Sequence, residues 1–355
     1  MKDKSNKIFI MIILLVNIIF MFSLIISKKA LFSEEENRYL EKFSVKKINE
    51  YITDHFPFRN KFIALKNKTQ KKIGKTYIND IYLGKDEYLI PSFNDNYNKH
   101  YLINALNNFS NKYPITELMI VPDSTLINND KLIRYNGADQ EKEIKYLYQK
   151  VKTKNINLIN YFLEENKNNQ LYYKTDHHWT TKGAYKAYVF YCKEKNIPFY
   201  KEEDFNIKEV SNDFLGTSSS KVYGLANKES IYIYDTNNKF NVEYVLEKKI
   251  TESLYNLDYL NKKDKYALFL DNNHALIKIT NESINTDNNI LIIKNSYANA
   301  FIPFIANHYK EIYVIDMRYY NNMVSDFVEE NKIDNILILY NLNNLYSDLS
   351  LVKLK

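Results

Sequence analysis

Cysteine occurs once, at Cys192, so no disulfide can form within the chain and a disulfide-stapled scaffold is excluded. Glycine and proline are each present only six times. No Gly- or Pro-rich linker divides the chain, and no internal repeat is visible. Neither an HExxH string nor a Cys/His array occurs, which removes the commonest zinc-site patterns. Charge of one sign is not in excess: 49 basic and 43 acidic residues are interspersed, for a formal net charge of +6. That describes a mildly basic surface without the clustered patch that nucleic-acid binding requires. Long apolar runs are also lacking, with one exception.

The exception is Ile8 to Ser27, IFIMIILLVNIIFMFSLIIS, which carries no charge and only Asn17 as a strongly polar interruption. A bilayer-spanning helix needs about 20 apolar residues, and a buried core helix would show a polar stripe. The run is longer than the apolar core of a cleaved signal peptide, about 7–15 residues, and it ends in Ser27-Lys28-Lys29-Ala30, a poor cleavage site. We therefore expect residues 1–30 to form an uncleaved anchor with the membrane held through 8–27. Lysines flank both ends, so the positive-inside count does not orient it. A first apolar segment behind a short basic N-terminus favours a single-pass topology with the rest of the chain outside the cytoplasm.

About 325 residues remain. Residues 31–75 are charged and helix-compatible, which suits a stalk or cap. From 76 to 355 short apolar runs, at 117–121, 156–158, 289–293, 311–315 and 335–340, alternate with helix-like stretches at about 97–112, 140–153, 180–195, 298–309 and 321–331. That alternation predicts an α/β fold with a mostly parallel sheet covered by helices on both faces. Residues 200–285 break the rhythm with alternating Tyr, Ile and Val and read as a β-rich insertion.

In such a sheet, functional groups collect at the carboxyl ends of strands. One candidate is Tyr172–Gly183, which holds Asp176-His177-His178-Trp179, two of the six histidines and the only tryptophan. Thr180 or Thr181 is a plausible cap for the helix that follows. In extended chain before it, Asp176 and His178 would share a face while His177 points away, and a carboxylate beside an imidazole can support it as a general base. The second candidate is Lys294-Asn295-Ser296-Tyr297, where an apolar strand runs into a helix. A serine there sits among free backbone N–H groups that can stabilise an oxyanion. Taken alone, an Asn-Ser at a strand end is commonly a cap or turn, and Asp176, His177 and His178 could also hold a metal.

At these residues the chain resembles the DHHW family, named for the string at Asp176–Trp179 and similar to the SGNH-hydrolase-like proteins that O-acetylate alginate and other exported polysaccharides. Supporting strings are Glu35–Arg38, Asp54–Arg59, Gly84–Leu89, Asp213–Thr217, Lys294–Phe304 and Asp316–Tyr320. The resemblance implies an SGNH-like domain in which Ser296 is the nucleophile, His178 the base and Asp176 its orienter. Asn273 is implied as an oxyanion donor, at the end of Asp271-Asn272-Asn273 where the family has Gly-Gly-Asn. Asn295 stands where an Asp is usual. Substrate contacts are expected from His177 and from the rings of Trp179, Tyr297 and Tyr319 stacking on sugars. The implied partners are a polysaccharide acceptor and a membrane-bound O-acyltransferase as acyl donor, with no cofactor. Three other readings use the same residues: an esterase removing acyl groups, a glycan-binding member without catalysis, and a metal-dependent hydrolase.

Overall fold

The computed structural model describes residues 2–26 and 30–355; within the first helix, the side chains of residues 2–5, 20, 21 and 23–26 are not described. Eight strands build the main sheet: β1 Thr116–Val121, β2 Lys154–Asn157, β3 Phe240–Tyr244, β4 Lys249–Thr251, β5 Leu276–Asn281, β6 Asn289–Lys294, β7 Glu311–Asp316 and β8 Ile336–Asn341. Their order is β4-β3-β5-β7-β6-β8-β1-β2. From β7 to β2 all pairs are parallel, and β5, β3 and β4 continue the sheet antiparallel. The stretch 200–285 thus supplies three strands of the main sheet, together with a separate hairpin of Asn206–Phe214 and Glu229–Asp235.

The parallel strands are apolar on both sides because helices cover both faces. In β6, Ile290 and Ile292 enter one core while Leu291 and Ile293 enter the other; in β8, Leu337 and Leu339 oppose Ile336 and Ile338 in the same way. The first core is closed by residues of Thr181–Lys195 and Ala298–Ile305, the second by residues of Lys99–Lys112, Gln140–Lys150 and Val324–Asn331. Each fully buried aliphatic side chain in these layers contributes about 1.5–3 kcal/mol of transfer free energy. β6 lies between β7 and β8, so the chain leaving it reaches one neighbour next and the other later. The sheet winds both ways from β6, which opens a crevice at its carboxyl end.

Lys2–Ile26 forms helix α1, with exposed apolar side chains along 8–19 and at Phe22. Among the described residues no helix is long and apolar enough to cross a membrane. Ser27, Lys28 and Lys29 and the side chains of 20, 21 and 23–26, part of the expected anchor, lie outside the described residues. Residues 31–75 hold a short hairpin, Phe32–Ser33 with Arg38–Tyr39, and the helices Ile48–Asp54 and Arg59–Lys72. Two of the strings noted in the sequence meet here. Arg38 pairs with Asp54 through both carboxylate oxygens, and Arg59 donates to Glu36 at 3.0 Å. The hydrogen bonds from Arg38 hold the Asp54 carboxyl down to about 2.

Candidate functional site

The 172–179 segment is a closed loop, not the extended chain expected from its sequence. Tyr172 and Trp179 form an antiparallel bridge, and the Tyr173 N–H donates to the His178 carbonyl at 3.2 Å. Asp176 shapes the turn by accepting the backbone N–H of His178 at 2.9 Å on Oδ1, the local two-residue bond that aspartate makes readily. The same Oδ1 lies 2.6 Å from His178 Nδ1. The i, i+2 pairing therefore holds, but through a turn. Thr180 caps the next helix, α2 (Thr181–Lys195), by accepting the Gly183 N–H at 3.0 Å.

Ser296 follows β6 after one residue, Asn295, and precedes α3 (Ala298–Ile305), whose first turn begins with Ala298 and Asn299 donating to the carbonyls of Asn295 and Ser296. Its Oγ lies 2.8 Å from His178 Nε2. Asp176, His178 and Ser296 thus form one hydrogen-bonded chain with both imidazole nitrogens engaged. Distances of 2.6–2.8 Å are those of a working acid–base relay. Asp176 and His178 are buried and Ser296 is partly exposed, so the open end of the chain is the hydroxyl.

The second carboxylate oxygen of Asp176 accepts from the Thr217 N–H at 2.7 Å and the Thr217 hydroxyl at 3.0 Å. Burial alone would raise this carboxyl. The imidazoles of His177 and His178 and the donors of His178 and Thr217 outweigh burial and hold it well below the usual range. Asp176 therefore stays a carboxylate and fixes the proton on His178 Nδ1, leaving Nε2 free to accept from the serine. The Tyr266 ring lies flat on His178, 3.9 Å away and inclined by 9°, and shields that face from water. Gly216 is required by proximity: a Cβ there would lie 2.2 Å from Asp176 Cβ.

His177 does not point away from this group. Its Nδ1 is 2.7 Å from Thr217 Oγ1 and 3.5 Å from Asp176 Oδ1, and its ring centre is 3.8 Å from that of His178. Burial, joined by repulsion from His178, pushes it down to about 4, so it is neutral near pH 7. It also lines a cavity of about 270 Å³ with Asp123, Ser218, Tyr297 and Asn341, at the carboxyl ends of β1 and β8. The ligand atoms of Asp176, His177 and His178 lie within 4.8 Å of one another, close enough to share a metal ion. Recruiting His178 to a metal would break its bond to Asp176 or to Ser296.

Two of the rings expected to stack on sugar are buried. Trp179 is 0% and Tyr297 1% exposed; the indole N–H donates to the Tyr297 carbonyl at 2.9 Å, and the Tyr297 hydroxyl donates to the His177 carbonyl. They brace the loop against α3, and of the two only Tyr297 borders the cavity of about 270 Å³. Tyr319 is half exposed and carries Arg318 over its ring. Asn273 stands beside Lys294 and Asn299, and its Nδ2 donates to Asn272 Oδ1 at 3.0 Å. The preceding Leu270, Asp271 and Asn272 all have φ between 52° and 78°. The left-handed backbone that glycines would adopt freely is thus kept by side chains, two of them Asp and Asn, which tolerate it best. Tyr266 has no direct signal in the sequence, and Thr217 stands out there only as the end of Asp213–Thr217.

A cavity of about 610 Å³ lies behind the loop and is lined by Thr175, Thr180, Lys182, Glu229 and Tyr232, without Ser296 or His178. Glu229 supports the loop from that side, accepting the N–H groups of Lys174 and Thr175. On the other side Glu36, Asn37 and Arg38 of the cap face Thr217, Ser220 and Lys221 across a cleft of about 480 Å³.

No curated protein matches the sequence. Among solved structures, a DHHW family protein from Eubacterium siraeum aligns with a TM-score of 0.66 at 20% identity, covering 78% of this chain and 95% of that one. Bacillus cereus PatB1 aligns at 0.64 and 22% identity, covering 78% and 99%, and a second PatB1 structure carries a sulfonyl adduct. The O-acetyltransferase domain of Pseudomonas putida AlgJ aligns at 0.45 and 12% identity, covering 76% and 94%. At such identities the likeness is one of fold. The sequence model of the DHHW protein family, in contrast, matches residues 63–315, well over half of the length, and the chain belongs to the DHHW family.

Proposed function

We propose that this protein is an O-acyltransferase that carries an acyl group, acetyl in the simplest case, as an ester on Ser296 and passes it to a hydroxyl of a cell-surface or exported polysaccharide. The observation that carries the reading is the unbroken Asp176–His178–Ser296 hydrogen-bond chain with its hydroxyl end open. His178 Nε2 takes the Oγ proton as Ser296 attacks the acyl carbonyl, and returns it to the departing group. In the second half a sugar hydroxyl gives its proton to the same nitrogen and attacks the acyl-serine; the bond to Oγ breaks, Nε2 returns the proton to Oγ, and the sugar leaves with the acyl group. Asp176, held ionised, stabilises the imidazolium formed in each half. The Ser296 N–H at the start of α3 and the amide of Asn273 are the donors proposed for the oxyanion.

Bacillus cereus PatB1 forms a sulfonyl adduct, and sulfonyl groups are captured by activated nucleophiles, which is compatible with this chemistry. Transfer must outrun hydrolysis by water at about 55 M. A positioned hydroxyl can reach effective molarities of about 10⁵–10⁸ M, so holding the sugar in place suffices. We further propose a tether through residues 8–27, supported by their uncharged sequence and by the exposed apolar side chains of α1, with the domain outside the cytoplasm. The acyl group would then come from a membrane-bound O-acyltransferase.

Polymer from cells lacking the protein is expected to carry fewer O-acyl esters, and Ser296→Ala is expected not to restore them. More ester in the deletion strain than in wild type would make the protein a deacylase and end the transferase reading.

A further inference from the structure

Lys294 is the last residue of β6, two positions before the serine, and its side chain is 0% exposed. It lies beside Asp316, its registered partner on β7, at 3.3 Å. Asp316 is also fully buried and is held by Arg318 through Nε and Nη2. A lysine so deep in a sheet costs free energy that one carboxylate at 3.3 Å does not recover well. Aliphatic residues occupy the preceding positions of the same strand, and sheet formation alone gives no reason for a cation here.

The shorter contact of Lys294 is to Asn273, whose Oδ1 accepts from Nζ at 2.7 Å. Asn299, in the first turn of α3, donates to the same Oδ1 at 3.3 Å and to the Asn272 carbonyl at 3.0 Å. An ammonium has only hydrogens to offer, so the amide end that faces Lys294 must be the oxygen. That requirement turns the Asn273 NH₂ the other way. One of its hydrogens goes to Asn272 Oδ1, and the second is left over. A cation on the carbonyl oxygen also draws charge out of the amide and makes its N–H a stronger donor.

We propose that Lys294 is a positioning residue for acyl transfer: it fixes and polarises the Asn273 amide so that its remaining N–H meets the negative charge that develops on the acyl oxygen at Ser296. The proposal rests on the acyl-serine reading above. Asp316 and Arg318 keep the ammonium in place, and Asn299 ties the Asn273 loop to the helix that starts beside the nucleophile.

The test uses the full chain in detergent with p-nitrophenyl acetate as the acyl donor. Lys294→Met leaves Asp316 paired with Arg318 alone, and Lys294→Met/Asp316→Asn, which removes both charges of the Lys–Asp pair, is assayed alongside it. Removing an oxyanion donor costs about 10²–10³ in kcat. Loss of its orientation is therefore expected to lower kcat by about tenfold or more with KM changed less than about twofold. Because both act on one group, adding Asn273→Ala to the double variant should not slow it beyond Asn273→Ala alone. Full kcat in the double variant, multiplicative losses with Asn273→Ala, or failure of the double variant to fold would each overturn the proposal, the last by assigning Lys294 to stability alone. Ser296→Ala separates the two levels: if it retains the wild-type rate, the acyl-serine reading falls. If it is inactive while Lys294→Met/Asp316→Asn is unimpaired, only the role of Lys294 falls.

Discussion

A glycine 40 residues downstream of Asp176 decides how that carboxylate sits. The ideal Cβ of an alanine at 216 would lie 2.2 Å from Asp176 Cβ and 2.3 Å from its Oδ2, so one of the two segments must retreat. Retreat of about 1 Å in catalytic geometry can cost on the order of 10²-fold in rate. Gly216→Ala is therefore expected to lose kcat on p-nitrophenyl acetate by about that factor while keeping a cooperative thermal transition. Unchanged kcat would show that the loop absorbs the methyl group elsewhere. The hydrogen-bonded group of Asp176, His178 and Ser296 was legible in the sequence as a candidate because Asp, His and Ser stand out by type and local spacing. Gly216 and Tyr266 were not legible as site residues. One acts by having no side chain and the other by the flat stacking of an aromatic ring, and both meet Asp176 or His178 only through the tertiary fold. Trp179 and Tyr297 failed the other way: rings beside a catalytic string suggested sugar stacking, yet their size made them core.

Three strand ends are stitched together beside the site. Asn295, after β6, donates to Asn341 Oδ1 at 2.6 Å; Asn341, ending β8, donates to Asp123, after β1. Gln140 adds a bond to the Asp123 carboxylate at 3.0 Å. Burial raises the Asp123 carboxyl to about 6, against which the donors of Asn341 and Gln140 act only partly. The folded state therefore binds a proton more tightly than the unfolded chain, where an aspartate titrates near 3.9. The stability linked to this group is fully present below about pH 4 and is lost as pH rises through about 6. Relative to Asp123→Asn, the wild type should lose roughly 1–2 kcal/mol of unfolding free energy between pH 4 and 7, allowing for its partial contact with solvent. Urea unfolding across that range measures it, and parallel pH profiles for the two proteins would refute it. At this scale four of the five parallel strands were readable because apolar runs of five or six residues between helical stretches leave few alternatives, and the fifth showed only as the short run 156–158. The fate of 200–285 was not. Alternation shows that a strand is half buried, but not which edge it joins, and three of these strands extend the main sheet antiparallel.

For the molecule as a whole, residues 31–75, the 172–183 loop and the end of β6 converge at the carboxyl end of the parallel strands. The Arg38–Asp54 and Arg59–Glu36 pairs tie residues 36–59 to one another, and Glu36 and Arg38 face Thr217, the residue that holds Asp176, across a cleft. The proposed tether predicts that protease added to intact, wall-stripped cells digests the chain beyond α1. Protection until lysis would reverse the orientation and remove the extracytoplasmic function. The position of Ser296 along the chain has a further effect. His178 is synthesised 118 residues before Ser296, Asp176 two residues earlier still, and the bond between imidazole and serine spans that distance. While the chain is being made, first the base exists without its nucleophile, and then a bare serine emerges whose activation awaits closure of the sheet around β6. On the acyl-serine reading proposed above, an unfinished copy would be inert, and reactivity toward esters would be a property of the completed fold alone.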